Sequence, residues 1–163
     1  MKEELDKFDI ILIVGNYGSG KSSLAKKHFP DRKRINRYEI RRYLKEMTEY
    51  GERWVSDDWN EDIEGLIKHI ENDIIYYYLE RNQKILIDNT SVTKKSRKRY
   101  IDCAQKFHKS VACVFINPDI SVVMKQNRMR EFPVPDRVIV DLYSKTELPE
   151  QSEGFDKVMI YKN

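Results

Sequence analysis

At 163 residues, 40% hydrophobic and 35% charged, the chain has the length of one ordinary domain and the apolar content for a buried core. That balance excludes a disordered or membrane-embedded chain, since the apolar run Ile10 to Val14 is too short to span a bilayer and lacks the flanks of a signal peptide. A net charge of +3 demands no polyanionic partner, and Cys103 and Cys113 match neither a metal-ligand spacing nor a disulfide framework, so a reduced cytoplasmic setting is the simplest reading.

Phe8 to Val14 is continuously apolar and β-branched, which predicts a strand buried on both faces. Gly18 to Phe29 reads as a helix stopped by Pro30. Lys33 to Asn36 is a weak strand candidate before a helix from about Tyr38 to Thr48. The next helix, Glu61 to Glu80, places Ile63, Leu66, Ile67, Ile70 and Ile74 on one face. Its Tyr76-Tyr77-Tyr78 run reads as core packing. Lys84 to Ile87 is a strand, Thr93 begins a basic helix, and Val111 to Ile116 is a strand. Asn117-Pro118 reads as an N-cap followed by proline in the first helical position, opening a helix toward Arg130. From Pro135 a helix and a strand over Val138 to Val140 are equally arguable, and Phe155 to Tyr161 closes the chain as a strand. Strands alternating with helix-length segments imply parallel pairing through right-handed crossovers. The expected architecture is one three-layer α/β domain over residues 1–163.

Three segments carry chemistry. Gly15-Asn16-Tyr17-Gly18-Ser19-Gly20-Lys21-Ser22, followed by Ser23, satisfies the phosphate-loop pattern G-x-x-x-x-G-K-[ST] between a predicted strand and a predicted helix. Backbone N–H groups there curl around ATP phosphate oxygens, Lys21 bridges the β- and γ-phosphates, and the Ser22 hydroxyl ligates Mg²⁺. Lys84-Ile85-Leu86-Ile87-Asp88 is a strand whose terminal carboxylate falls beside that loop, where it can orient magnesium-bound water or an arginine. Asn127-Arg128-Met129-Arg130 places cations where phosphoryl transfer spreads negative charge. Lys94, Lys95, Arg97, Lys98 and Arg99 read as a solvated helix face, part of which can reach an acceptor groove.

These residues resemble the kinase domain of the polynucleotide 5′-hydroxyl kinases, phage-type and eukaryotic repair-type, over nearly the whole chain after Phe8. The resemblance rests on the phosphate loop, Ile87-Asp88-Asn89-Thr90-Ser91, Asn127-Arg128-Met129-Arg130-Glu131 and Val134-Pro135-Asp136. Glu147-Leu148-Pro149 and Glu153-Gly154-Phe155 add a similar tail. It implies a P-loop kinase fold with an adenylate-kinase-like parallel sheet, and transfer of the ATP γ-phosphate to a 5′-OH end of DNA or RNA. The lid arginine falls on Arg130, with Arg128 beside it, and the acceptor-binding group on Arg41, Tyr38 and Asp88.

The family's Asp-x-x-Arg element falls on Tyr38-Glu39-Ile40-Arg41, so tyrosine stands where the base is expected. A phenol is a poor base at neutral pH, which shifts the role to Glu39 or Asp57, or predicts slow or lost turnover. Weak activity, improved by Tyr38→Asp, is the expectation. No Asp-x-Asp-x-Thr phosphatase stretch occurs, so kinase work alone is expected. The alternatives are a P-loop kinase of a small-molecule or tRNA-linked hydroxyl, and a turnover-deficient module that binds nucleotide and nucleic-acid ends. DNA or RNA preference and oligomeric state are not legible in the sequence.

Overall fold

Every residue of β1, Ile10–Val14, is buried, because the strand lies between two helical layers in the middle of a sheet. The computed structural model describes residues 1–162. Around β1 stand β2 (Lys33–Ile35), β3 (Ile85–Asp88), β4 (Val111–Ile116) and β5 (Lys157–Tyr161). All pair in parallel in the order β2-β3-β1-β4-β5, giving the five-stranded sheet of a P-loop kinase fold.

Alternate β1 side chains feed two cores. Ile10, Leu12 and Val14 pack with Ile75 and Leu79 of α4 (Glu61–Glu80) and Tyr100 and Ile101 of α5 (Lys94–Lys106). Ile11 and Ile13 pack with Leu5 of α1 (Lys2–Leu5) and with Leu24 and Ala25 of α2 (Lys21–His28). The remaining helices are α3 (Arg37–Thr48), α6 (Ile120–Arg128) and α7 (Asp136–Ser144). A small separate cluster of Val123, Val134 and Ile139 joins α6 to α7. Among the described residues no helix is long and apolar enough to cross a membrane. Burial pushes the Cys113 thiol up to about 12 and Cys103 up to about 11, so both are protonated at neutral pH.

The structure corrects four sequence expectations. α2 begins at Lys21, not Gly18, because Gly18 and Gly20 take φ of +74° and +96° and cannot join a right-handed helix there. α6 begins at Ile120, since the first helical N–H groups return to the Asp119 carbonyl rather than to Asn117. The buried face of α4 is Glu64, Ile67, Glu71, Ile75 and Leu79, which leaves Ile63 and Leu66 exposed. Two carboxylates lie in that buried stripe, so the apolar pattern alone pointed to a face rotated away from it. In the tyrosine run, Tyr76 and Tyr78 pack against the core while Tyr77 turns outward beneath Arg81. After Pro135 the chain is helical, with Ile139 inward and Val140 outward.

Candidate active site

The loop between β1 and α2 is folded against its neighbours on every side. A Cβ on Gly15 would lie 2.3 Å from the Ile116 carbonyl oxygen, and one on Gly18 would lie 2.5 Å from that of Val123. Only glycine permits those approaches. Asn16 is fully buried: its Nδ2 donates to the Ile139 carbonyl at 2.8 Å and its Oδ1 accepts from the Tyr17 N–H at 2.7 Å. Lys21 Nζ donates to the Asn16 carbonyl at 2.7 Å, folding the ammonium back over its own loop. Burial lowers the Lys21 pKa to about 8; Asp88 opposes the shift, while Arg130 and Arg34 add to it. The loop therefore holds a cation that is short of anionic partners, as a phosphate cradle requires. Ser22 and Ser23, at the start of α2, line the same cleft.

Asp88 ends β3 inside that cleft, with no exposed surface. Its Oδ2 accepts from Ser22 Oγ at 2.8 Å and from Arg34 Nε at 2.8 Å, and Arg34 Nη1 reaches Glu39 at 2.7 Å. Asp88 Oδ1 and Ser19 Oγ are buried without hydrogen-bond partners. A hydroxyl beside a carboxylate with a spare buried oxygen suits a hard cation and its waters. The Ser22–Asp88 pair therefore fits Mg²⁺. Among the described residues no cluster of three carboxylate, histidine or cysteine side chains could bind a metal unaided, so ligand phosphates would complete the shell.

A cleft of about 1010 Å³ runs from the loop along α3 and α5. Its lining is rich in lysine and arginine and includes two carboxylates, Glu39 and Asp88. The far end is set by α4. Glu64 pairs with Arg41 through both carboxylate oxygens, one of them at 2.8 Å from Nη2, and accepts from Arg37 at 3.1 Å. Burial alone would raise the Glu64 carboxyl, but Arg41 and Arg37 hold it below its ordinary range. Glu71, fully buried, accepts from Asn89 at 2.7 Å and Tyr100 at 2.9 Å and pairs with Arg99 at 2.8 Å. Burial, reinforced by the Glu71 charge, pushes the Tyr100 phenol well up, so it stays a donor.

The segment to which the resemblance assigns the lid lies between α6 and α7. Asn127 is buried and bonds the Val134 backbone twice, Nδ2 to carbonyl at 2.7 Å and Oδ1 from N–H at 3.0 Å. Arg130 faces the cleft with its Cζ 5.7 Å from the Tyr17 ring centroid and 5.4 Å from that of Tyr38. Arg128 points elsewhere, 66% exposed and paired with Asp136 at 2.8 Å.

The fold thus brings together Lys21, Ser22, Asp88, Glu39, Arg41, Tyr38 and Arg130, and leaves out Arg128 and Asp57. Asp57 is 85% exposed and pairs, among the described residues, with Arg137 alone, at 3.8 Å. The basic run on α5 divides. Lys95 and Arg99 line the cleft, Lys94 and Lys98 pair with Glu150 and Asp102, and Arg97 is fully buried. Arg97 holds Glu153 at 2.8 Å and donates to the Ser91, Val92 and Glu147 carbonyls, so the tail motifs anchor the C-terminal segment to the Asp88 loop. Sequence reasoning missed Glu64, Glu71, Arg34 and the Asn127 clasp. A signal existed for the glutamates, which fall in helical phase with Ile67 and Ile75.

A bifunctional polynucleotide phosphatase/kinase of Schizosaccharomyces pombe is 25% identical over 155 residues, covering 92% of this chain and 32% of that protein. An L-seryl-tRNA(Sec) kinase of Methanococcus maripaludis is 22% identical over 98 residues, 60% of this chain and 38% of that protein. The chain thus spans about a third of the length of each relative. A solved Pnkp1/Rnl/Hen1 RNA repair complex contains a chain that superposes with a TM-score of 0.67 at 18% identity, covering 85% of this chain and 44% of that one. The resemblance to polynucleotide kinases therefore holds in sequence and in fold. The AAA_33 family, an AAA domain, matches residues 10–149, a span that takes in the phosphate loop, the arginine-lined face and the lid, and the chain belongs to that family.

Proposed function

We propose that the protein is an ATP- and Mg²⁺-dependent kinase that transfers the γ-phosphate to the 5′-hydroxyl end of DNA or RNA. The observation that carries this is the single cleft with a phosphate loop at one end and Arg37, Arg41 and Arg99, held by buried carboxylates, at the other. Guanidinium groups fixed in this way suit the phosphates of a nucleic-acid strand, which a neutral sugar lacks. The tail-anchored Ser91–Thr93 turn and Lys95 border the same groove.

Lys21 exchanges its Asn16 carbonyl for the β- and γ-phosphates, and Arg130 meets the charge that builds on the equatorial oxygens. Mg²⁺, when bound, screens the phosphate charge. Ser22 and Asp88 are the residues that would hold it. The 5′-hydroxyl oxygen forms a bond to the γ-phosphorus, and the bond to the β–γ bridging oxygen breaks, releasing ADP. Of the two carboxylates in the cleft, Asp88 is committed to Ser22 and Arg34, whereas Glu39 is 42% exposed with one arginine partner. We assign to Glu39 the hydroxyl proton, and Arg41 to the acceptor phosphate.

The test is transfer of labelled phosphate from ATP to matched 5′-OH and 5′-phosphate oligonucleotides, as DNA and as RNA. Label on the 5′-OH strands alone supports the reading, and label on neither strand overturns it. The similarity to a seryl-tRNA kinase favours one second reading, a tRNA-linked hydroxyl as acceptor. Seryl-tRNA in the same assay separates the two.

A further inference from the structure

Tyr38 occupies the position where the family pattern has an aspartate, and its surroundings give it a different task. It is the second residue of α3, and its ring stands edge-on to Trp54, with centroids 5.6 Å apart and planes at 90°. Arg130 lies over that ring at 5.4 Å and over Tyr17 of the phosphate loop at 5.7 Å. Beyond it, Arg42 lies 6.0 Å from Tyr38 and 5.8 Å from Phe132, and Arg53 lies 5.2 Å from Phe132. The lid is therefore fastened to the loop and to α3 by alternating rings and guanidiniums. The three contacts that Tyr38 makes here, with Trp54, Arg130 and Arg42, are all made by its ring. Tyr38 also borders a second cavity of about 230 Å³ beneath the lid, walled by Trp54 and Phe132.

We propose that Tyr38 is a positioning residue that holds Arg130 over the phosphate loop, and that it has no part in removing the acceptor proton. A carboxylate beside Arg130 would neutralise the guanidinium and compete with the transferring phosphoryl group. An aromatic face attracts the same cation while leaving its N–H edge free for phosphate oxygens. Among the described residues Arg130 pairs with no carboxylate; its partners are the two rings. The exchange of aspartate for tyrosine thus converts a proton acceptor into a lid support, with Glu39 one residue on in the cleft. This reverses the sign of the sequence expectation, because Tyr38→Asp should pair with Arg130 and withdraw it from phosphate.

The inference rests on the phosphoryl-transfer reading, so its test has one arm that needs no acceptor. Dissociation constants for ADP alone and for ADP with aluminium fluoride, which mimics the transferring phosphoryl group, are measured for wild type, Tyr38→Phe, Tyr38→Leu, Tyr38→Asp, Arg130→Ala and Tyr38→Leu/Arg130→Ala. Leucine preserves bulk against Trp54, and a thermal melt confirms that each variant is folded. Loss of one ring contact to a half-buried cation makes an effect of up to about 10-fold reasonable. Tyr38→Leu and Tyr38→Asp should lose about 10-fold of the tightening by aluminium fluoride with ADP affinity unchanged, and Tyr38→Phe should restore it. The double variant should be no weaker than Arg130→Ala. Where 5′-OH transfer is measurable, the same order should appear in kcat with the KM for ATP unmoved. Phenylalanine as damaging as leucine, additive losses in the double variant, or a faster Tyr38→Asp enzyme would each overturn the proposal. A wild type that labels no oligonucleotide overturns the acceptor assignment instead, and the aluminium fluoride arm still decides the role of Tyr38.

Discussion

The two ends of the cleft are built by different means. The phosphate end is a backbone object. Gly15 and Gly18 are pressed against the carbonyls of Ile116 and Val123, and Asn16 fixes the turn through its amide. The end we assign to the acceptor is a side-chain object, in which Arg37, Arg41 and Arg99 take their places from Glu64 and Glu71 of a neighbouring helix. Backbone construction leaves few tolerated substitutions and a fixed ligand geometry. Ion-pair construction lets single residues retune the groove while the sheet stays as it is. A constant phosphate site beside a variable acceptor site is the expected outcome.

The strongest test of this contrast is Lys21→Ala. It should lower transfer by on the order of 10³-fold or more, as loss of a direct contact to developing charge does, while the nucleotide-free fold persists. The melting temperature should not fall, because Lys21 carries a buried charge whose pKa is depressed to about 8. Normal turnover in a folded Lys21→Ala protein would end the kinase reading.

Next in size is Glu71→Ala, which should strike the acceptor end and the fold together. Removing the carboxylate leaves Arg99 beside buried Asn89 and Tyr100, a defect of about 3–5 kcal/mol for a broken buried pair. Urea unfolding measures that loss, and the oligonucleotide KM should rise more than the KM for ATP. Equal effects on the two would join what the geometry separates.

Arg41→Ala should be milder and more selective. Loss of a charge-assisted contact to an acceptor phosphate corresponds to about a 10-fold rise in oligonucleotide KM. ATP hydrolysis without acceptor should be unaffected, and steady-state kinetics on both reactions decide it.

The smallest effect is one of pH. The free Lys21 ammonium loses its proton as pH rises through about 8, whereas bound phosphate favours the charged form. ATP affinity should therefore fall from pH 7 to pH 9.5, followed with a fluorescent nucleotide. In the nucleotide-free protein the same group works oppositely. The folded pKa of about 8 lies below the ordinary lysine value near ~10.4, so the unfolded chain binds more protons between them and this contribution to stability rises with pH.

The phosphate end was legible in the sequence because its constraints are local. A glycine spacing, an adjacent apolar strand and a strand-terminal aspartate all lie along the chain, and the apolar runs gave the parallel sheet with it. The acceptor end was legible only in part. The resemblance assigns Arg41 to this end, and Arg41 lines the cleft, but Glu64 and Glu71 sit in another helix, inside a stripe where charge breaks the apolar pattern. Arg128 and Arg130 are two residues apart, and local sequence does not say which one a turn will aim inward. The ring contacts of Tyr38 with Trp54 and Arg130 were not legible, because both partners are distant in the chain.

The Asn127 clasp has a practical consequence. Its amide bonds the Val134 backbone in both directions, as a neighbouring strand would, so residues 128–133 leave and re-enter the fold through one pinned neck. Between those ends the stretch meets the rest of the fold through the side chains of Arg130, Glu131 and Phe132. The stretch is therefore an exchange cassette with stated terms: a protein engineer can transplant another enzyme's loop between Asn127 and Val134 provided that it keeps the Arg130 and Phe132 contacts with α3.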